Sequence, residues 1–116
     1  MAAANGLGGV EWTLVELDGA ALDLAEDERA PFLLLDLEEA YVTGSGGCNR
    51  LVGSFALAED ELRFGALATT RMVCSEAVMR REQDFLAALA RVTAYGLEER
   101  SLALLAGDEV LATLTC

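Results

Sequence analysis

The residue types and spacings that could support chemistry concentrate in one stretch, GSGGCNRLVG, at positions 44–53. A glycine-rich turn carrying a cysteine is the form of a phosphate cradle or of a nucleophile turn. The rest of the chain completes neither. A phosphate loop needs a lysine, and a helix after its glycines. Here all eight basic residues are Arg, and the residues that follow alternate as a strand does. A nucleophilic Cys48 needs a base to take its proton, usually His, and the chain contains no His. The three cysteines Cys48, Cys74 and Cys116 form no C-x-x-C pair, so a zinc site lacks both ligands and spacing. The acidic clusters LAEDE, LEEA, AEDE and LEER fall between apolar runs, in turns, where carboxylates are solvated. A glycosidase-like pair has no support beyond composition. No catalytic residue, no metal and no cofactor are expected: the chain reads as a non-enzyme.

The elements that position this stretch follow from hydropathy. The chain has 116 residues, 53% hydrophobic and 24% charged, enough for one domain with a proper core. With 20 acidic residues its net charge is -12, which repels phosphate backbones and anionic headgroups, so nucleic acid and acidic membrane are poor partners. No apolar run approaches the roughly 20 residues that span a bilayer. The opening MAAANGLGG has neither a positive region nor a long apolar run, so it is not read as a signal peptide. Residues 1–8 are expected to be a flexible leader and 9–116 the domain. The location is expected to be periplasmic, secreted or envelope-associated if an export segment was removed, and cytoplasmic otherwise.

Period-two alternation predicts strands over 10–17, 32–37, 41–44, 51–58 and 62–67, with DGA at 18–20 a turn. The period then changes. Val78, Met79, Phe85, Leu86 and Leu89 recur at helical offsets, predicting an amphipathic helix from Ser75 to about Arg91, with Ser75 as N-cap and Glu76 in its first turn. Glu76–Arg80 and Arg80–Asp84 are expected i,i+4 pairs on its solvated face. Strands at 92–97, 101–106 and 110–116 follow, the last two joined as a hairpin at Gly107-Asp108. The expected class is α+β: a curved antiparallel sheet or partial barrel of about eight strands with one helix packed across it.

Individual residues have structural readings. Gly44, Gly46 and Gly47 permit positive φ and a bent connection, and Gly53 marks a corner or a close backbone approach. Asn49 can bond its own backbone two residues on. Trp12 reads as a core anchor. Arg71 can bond exposed carbonyls or a carboxylate such as Glu82. Cys48 and Cys74 read equally as a disulfide or as two buried free thiols, with Cys116 the spare.

Taken together, the motifs resemble the META domain family, whose members include HslJ-like bacterial heat-shock proteins. WTLVELDGA supplies Trp12, and a Gly-x-x-Gly-Cys-Asn-x-x-x-Gly segment falls on Gly44, Gly47, Cys48, Asn49 and Gly53. LRFGALATTRMVC supplies Phe64, Thr70, Arg71, Met72 and Cys74, and the helix supplies Glu82 and Phe85. The resemblance covers about residues 9–115. It implies a small curved sheet with a helix across it, a Cys48–Cys74 disulfide, and relatives that are often exported, envelope-anchored and tied to stress. It implies no established catalysis. The expected role is a monomeric accessory or interaction module whose partner is an unknown protein or an apolar small molecule. A carrier of lipid or another apolar ligand between helix and sheet is the alternative, and a thiol redox role of Cys48 and Cys74 a third.

Overall fold

The computed structural model describes residues 6–116. The first five residues of the expected leader lie outside the described residues. The remainder of that leader belongs to the domain. Leu7 is fully buried, and its carbonyl oxygen accepts the Trp12 indole N–H at 2.9 Å. A buried indole needs an acceptor, and the chain before the first strand supplies it.

Nine strands and one helix follow: β1 (Glu11–Leu17), β2 (Ala20–Ala21), β3 (Phe32–Asp36), β4 (Tyr41–Ser45), β5 (Arg50–Ala58), β6 (Glu61–Thr69), α1 (Glu76–Arg91), β7 (Ala94–Glu98), β8 (Ser101–Ala106) and β9 (Glu109–Thr115). The expected α+β class, with one helix across a curved antiparallel sheet, is the observed one. The added strand is β2, which folds back on β1 across the tight turn Asp18-Gly19, both at positive φ. The two-residue ladder is too short to show alternation, so these residues read as turn.

The strand order is β2-β1-β3-β4-β5-β6-β7-β8-β9, with β1 also paired to β9. The sheet therefore curls until its last strand meets its first: Thr13 opposes Thr115 and Leu14 opposes Leu114. Closure is irregular, and this is not a regular barrel. β6 and β7 share the single pair Glu61↔Ala94 and then diverge. Helix α1 lies across this part of the sheet, packed on β6 and β8. Its buried stripe, Val78, Glu82, Phe85, Ala88 and Leu89, is spaced as a helix face. Phe85 and Leu89 join the core with Trp12, Leu14, Leu33, Leu35, Val42 and Leu51, the inward-facing residues of the strands.

Ser75 caps α1 as expected, its hydroxyl accepting the Val78 N–H at 3.3 Å. The expected Glu76–Arg80 and Arg80–Asp84 pairs do not form among the described residues, and the ion pairs the helix makes run to other elements through Arg81 and Arg91. Arg81 meets Glu28 at 3.2 Å and donates to the Asp23 carbonyl, fastening the acidic connector between β2 and β3 onto the helix. Arg91 meets Glu109 at 3.1 Å. An exposed i,i+4 pair gains too little to hold two long side chains in one geometry.

Candidate functional site

The glycine-rich stretch joins β4 to β5 and lies against the first turns of α1. Its center is Asn49, buried to 7% exposure. Asn49 Oδ1 accepts the Met72 N–H at 2.6 Å and the Thr70 hydroxyl at 2.9 Å. Its Nδ2 donates to Glu82 Oε1 at 2.9 Å, with a longer contact of 3.4 Å to the Met72 carbonyl. Every polar atom of the amide thus has a partner, as burial demands. Thr70 Oγ1 in turn accepts the Arg50 N–H at 3.1 Å. Expected to fix its own turn, Asn49 instead bonds two segments distant in sequence, 70–75 and the helix.

Glu82 is the second buried polar residue, at 6% exposure. Its Oε2 accepts two successive backbone N–H groups, Cys48 at 3.2 Å and Asn49 at 2.6 Å. Successive amides converging on one oxygen make an anion nest. The glycine-rich stretch does cradle an anion, and that anion is the chain's own carboxylate. The glycines make room for it. A Cβ at Gly46 would lie 2.6 Å from Glu82 Oε2, and Gly47 adopts φ +110. Positive φ is confined to Gly47 within this loop; Gly44 and Gly46 are required by close approach, Gly44 against the Phe32 carbonyl of the neighbouring strand.

Arg71 does not reach Glu82. It is exposed and makes no hydrogen bond or ion pair among the described residues. The nest already occupies the Glu82 oxygens, so a guanidinium there would displace three N–H donors.

Cys48 and Cys74 form a disulfide with their Cα atoms 6.0 Å apart, and Cys116 is free and exposed. The bridge ties the loop to the residue before the helix cap. Between β6 and Ser75 runs a segment, 70–75, that is neither helix, strand nor turn. It is held at Thr70 and Met72 by Asn49 and at Cys74 by the disulfide. Beside it an open cleft of about 840 Å³ lies over the outward-facing residues Thr13, Phe32, Thr43, Ser45 and Arg50, with Thr70 and Met72 on its wall. Of the other signature residues, Trp12 and Phe85 are core, and a Cβ at Gly53 would press on the Leu67 side chain and the Ala66 carbonyl. No cluster of three or more potential metal ligands occurs among the described residues. No helix among them is long and apolar enough to cross a membrane.

Fold and site define a small α+β protein in which one internal carboxylate and one disulfide lock a glycine-rich loop to the helix. Within that class the chain belongs to the META domain family, whose model matches residues 5–115. It is similar to a protein from Burkholderia xenovorans solved by NMR, with 28% identity and a TM-score of 0.76 over 98% of this chain and 86% of that one. A second NMR structure matches at 23% identity and a TM-score of 0.73, over 99% and 96% of the two chains. A DUF4847 family protein from Bacteroides vulgatus shares the fold at 13% identity and a TM-score of 0.67, over 94% and 93%. No curated protein matches the chain.

Proposed function

We propose that this domain is a non-enzymatic interaction module serving an envelope or stress-related process. The carrying observation is where its polar bonding is invested. Asn49, Glu82, Thr70 and the disulfide hold segment 70–75 and the wall of the adjoining cleft in one arrangement. That segment displays Met72 at 59% and Val73 at 87% exposure. Ordering apolar side chains in water gains nothing for the fold, whereas a preorganised surface loses less entropy on binding a partner. The seat expected for an apolar ligand, between helix and sheet, is filled by Phe85 and Leu89 within the core cluster. The cleft lies instead on the outer face.

The test is capture of partners from the producing cells, comparing the wild type with Thr43→Arg, which fills the cleft from an outward-facing position of β4. A partner lost with Thr43→Arg, while the circular dichroism spectrum is unchanged, supports the reading. Identical captured sets for both, or turnover of a substrate by the purified domain, overturns it.

A further inference from the structure

Segment 70–75 carries a more specific reading, which rests on the interaction role and names the class of partner. We infer that Thr70–Arg71–Met72–Val73 is a substrate-like binding loop for a serine protease of trypsin-like specificity, with Arg71 entering the primary specificity pocket. Four observations lead there.

The segment is irregular and open to a protease. Residues 70–75 contain no helix, turn or bend, and positions 68–73 are all exposed. Proteases bind their substrates extended, through main-chain hydrogen bonds, with alternate side chains in pockets.

Its residues divide between the cleft and open solvent. Thr70 and Met72 line the cleft and bond Asn49, whereas Arg71 does not line it. Arg71 and Val73 are exposed and lie outside the cleft lining. The Arg71 guanidinium, like those of the other arginines except Arg81 and Arg91, forms no ion pair among the described residues, so nothing in the fold competes for it. A trypsin-like pocket holds a carboxylate at its base, and bidentate pairing with arginine is the strongest contact it makes.

The bonds on either side of Arg71 are held from below by one residue. Asn49 Oδ1 accepts from the hydroxyl of Thr70 and from the N–H of Met72, the residues before and after it. A loop fixed in its bound conformation binds tightly, as protease–inhibitor complexes show with little backbone movement.

The chain on the departing side is covalently retained. Attack of the protease serine oxygen on the Arg71 carbonyl carbon would break the Arg71–Met72 C–N bond. The serine proton passes through the protease base to the Met72 nitrogen, leaving an Arg71 ester and a Met72 amine. That amine remains bonded to Asn49, and Cys74, two residues on, is tied to Cys48. It therefore stays beside the ester and re-forms the amide in preference to diffusing away.

The experiment titrates the oxidised domain against trypsin, read with a small chromogenic arginine amide. Competitive inhibition is expected, with Arg71→Ala weakening it at least about a hundredfold, as removal of a central arginine anchor does. Arg71→Lys should retain it within about tenfold, because the pocket accepts either cation. Arg63→Ala is the control and leaves it unchanged. Arg71 is exposed and makes no hydrogen bond or ion pair among the described residues, so its variants should fold as the wild type does. Reduction of Cys48–Cys74 should turn the loop into a substrate cut after Arg71, seen as two fragments by intact mass. The chain has no Lys, so every trypsin cut is assignable to one of eight arginines. Steady hydrolysis of the oxidised domain at Arg71–Met72 without inhibition, inhibition insensitive to Arg71→Ala, or no binding overturns the inference. Any of these with partner capture still sensitive to Thr43→Arg leaves the interaction reading standing; loss of both removes both.

Discussion

Glu82 on the helix holds the Asn49 backbone N–H at 2.6 Å, across 33 residues of chain. This bond joins the glycine-rich loop to α1, and the Asn49 side chain passes the connection on to Thr70 and Met72. Loop, helix and exposed segment are thus joined through two buried polar residues, Asn49 and Glu82.

Disrupting this unit is costly. Glu82→Gln still offers one accepting oxygen, but its NH2 opposes the Asn49 amide, so a loss of about 1–3 kcal/mol is expected. Glu82→Leu leaves all three donors unsatisfied and should cost more. Urea unfolding measures both. Combined with Asn49→Leu, the losses should be strongly non-additive, because the two residues share their partners.

Two glycine substitutions should separate cleanly. Gly44→Ala drives a methyl group into the Phe32 carbonyl, and backbone cannot yield as a side chain can. A loss above about 3 kcal/mol, or failure to fold, is expected. A Cβ at Gly96 in β7 meets nothing within 4 Å, and its φ is not positive. Gly96→Ala should therefore be neutral or stabilise by up to about 1 kcal/mol. Thermal melts of the two variants check the contrast.

The disulfide closes a sequence separation of 26 residues. Its removal by Cys48→Ala/Cys74→Ala is expected to cost about 3–4 kcal/mol in the chain-entropy model. Alkylation of the unfolded protein without reductant should add one group, at Cys116, and three after reduction; mass spectrometry reads the difference.

Leu7→Ala tests whether the chain before β1 belongs to the core. The side chain is fully buried, so truncation should cost about 2–5 kcal/mol. A neutral result in denaturant unfolding would return this stretch to the role of a leader.

Strong local signals were legible in the residues. The helix, its Ser75 cap and the β8–β9 hairpin follow from periodicity and turn chemistry within a few positions of chain. Leu7 gave no signal, because a single leucine among Ala and Gly has no period; its burial depends on the Trp12 indole needing an acceptor. Glu82 was visible as a family residue of the helix but not as an anion in a nest. Its partners are 33 and 34 residues away, and no local pattern encodes that distance. Arg71 was expected to bond exposed carbonyls or a carboxylate such as Glu82; it does neither among the described residues, and backbone amides occupy Glu82 instead.

Taken alone, the sequence determined the class, the family resemblance and most of the elements, because hydropathy period, caps and turns are local properties. It also placed Cys48 and Cys74 in motifs that imply pairing. Only the tertiary structure decided that β9 returns to β1, that β6 and β7 part beside the helix, and that the glycine-rich loop receives a carboxylate from within. Those depend on which distant groups are left needing partners once the apolar faces are buried, and burial is a property of the whole chain.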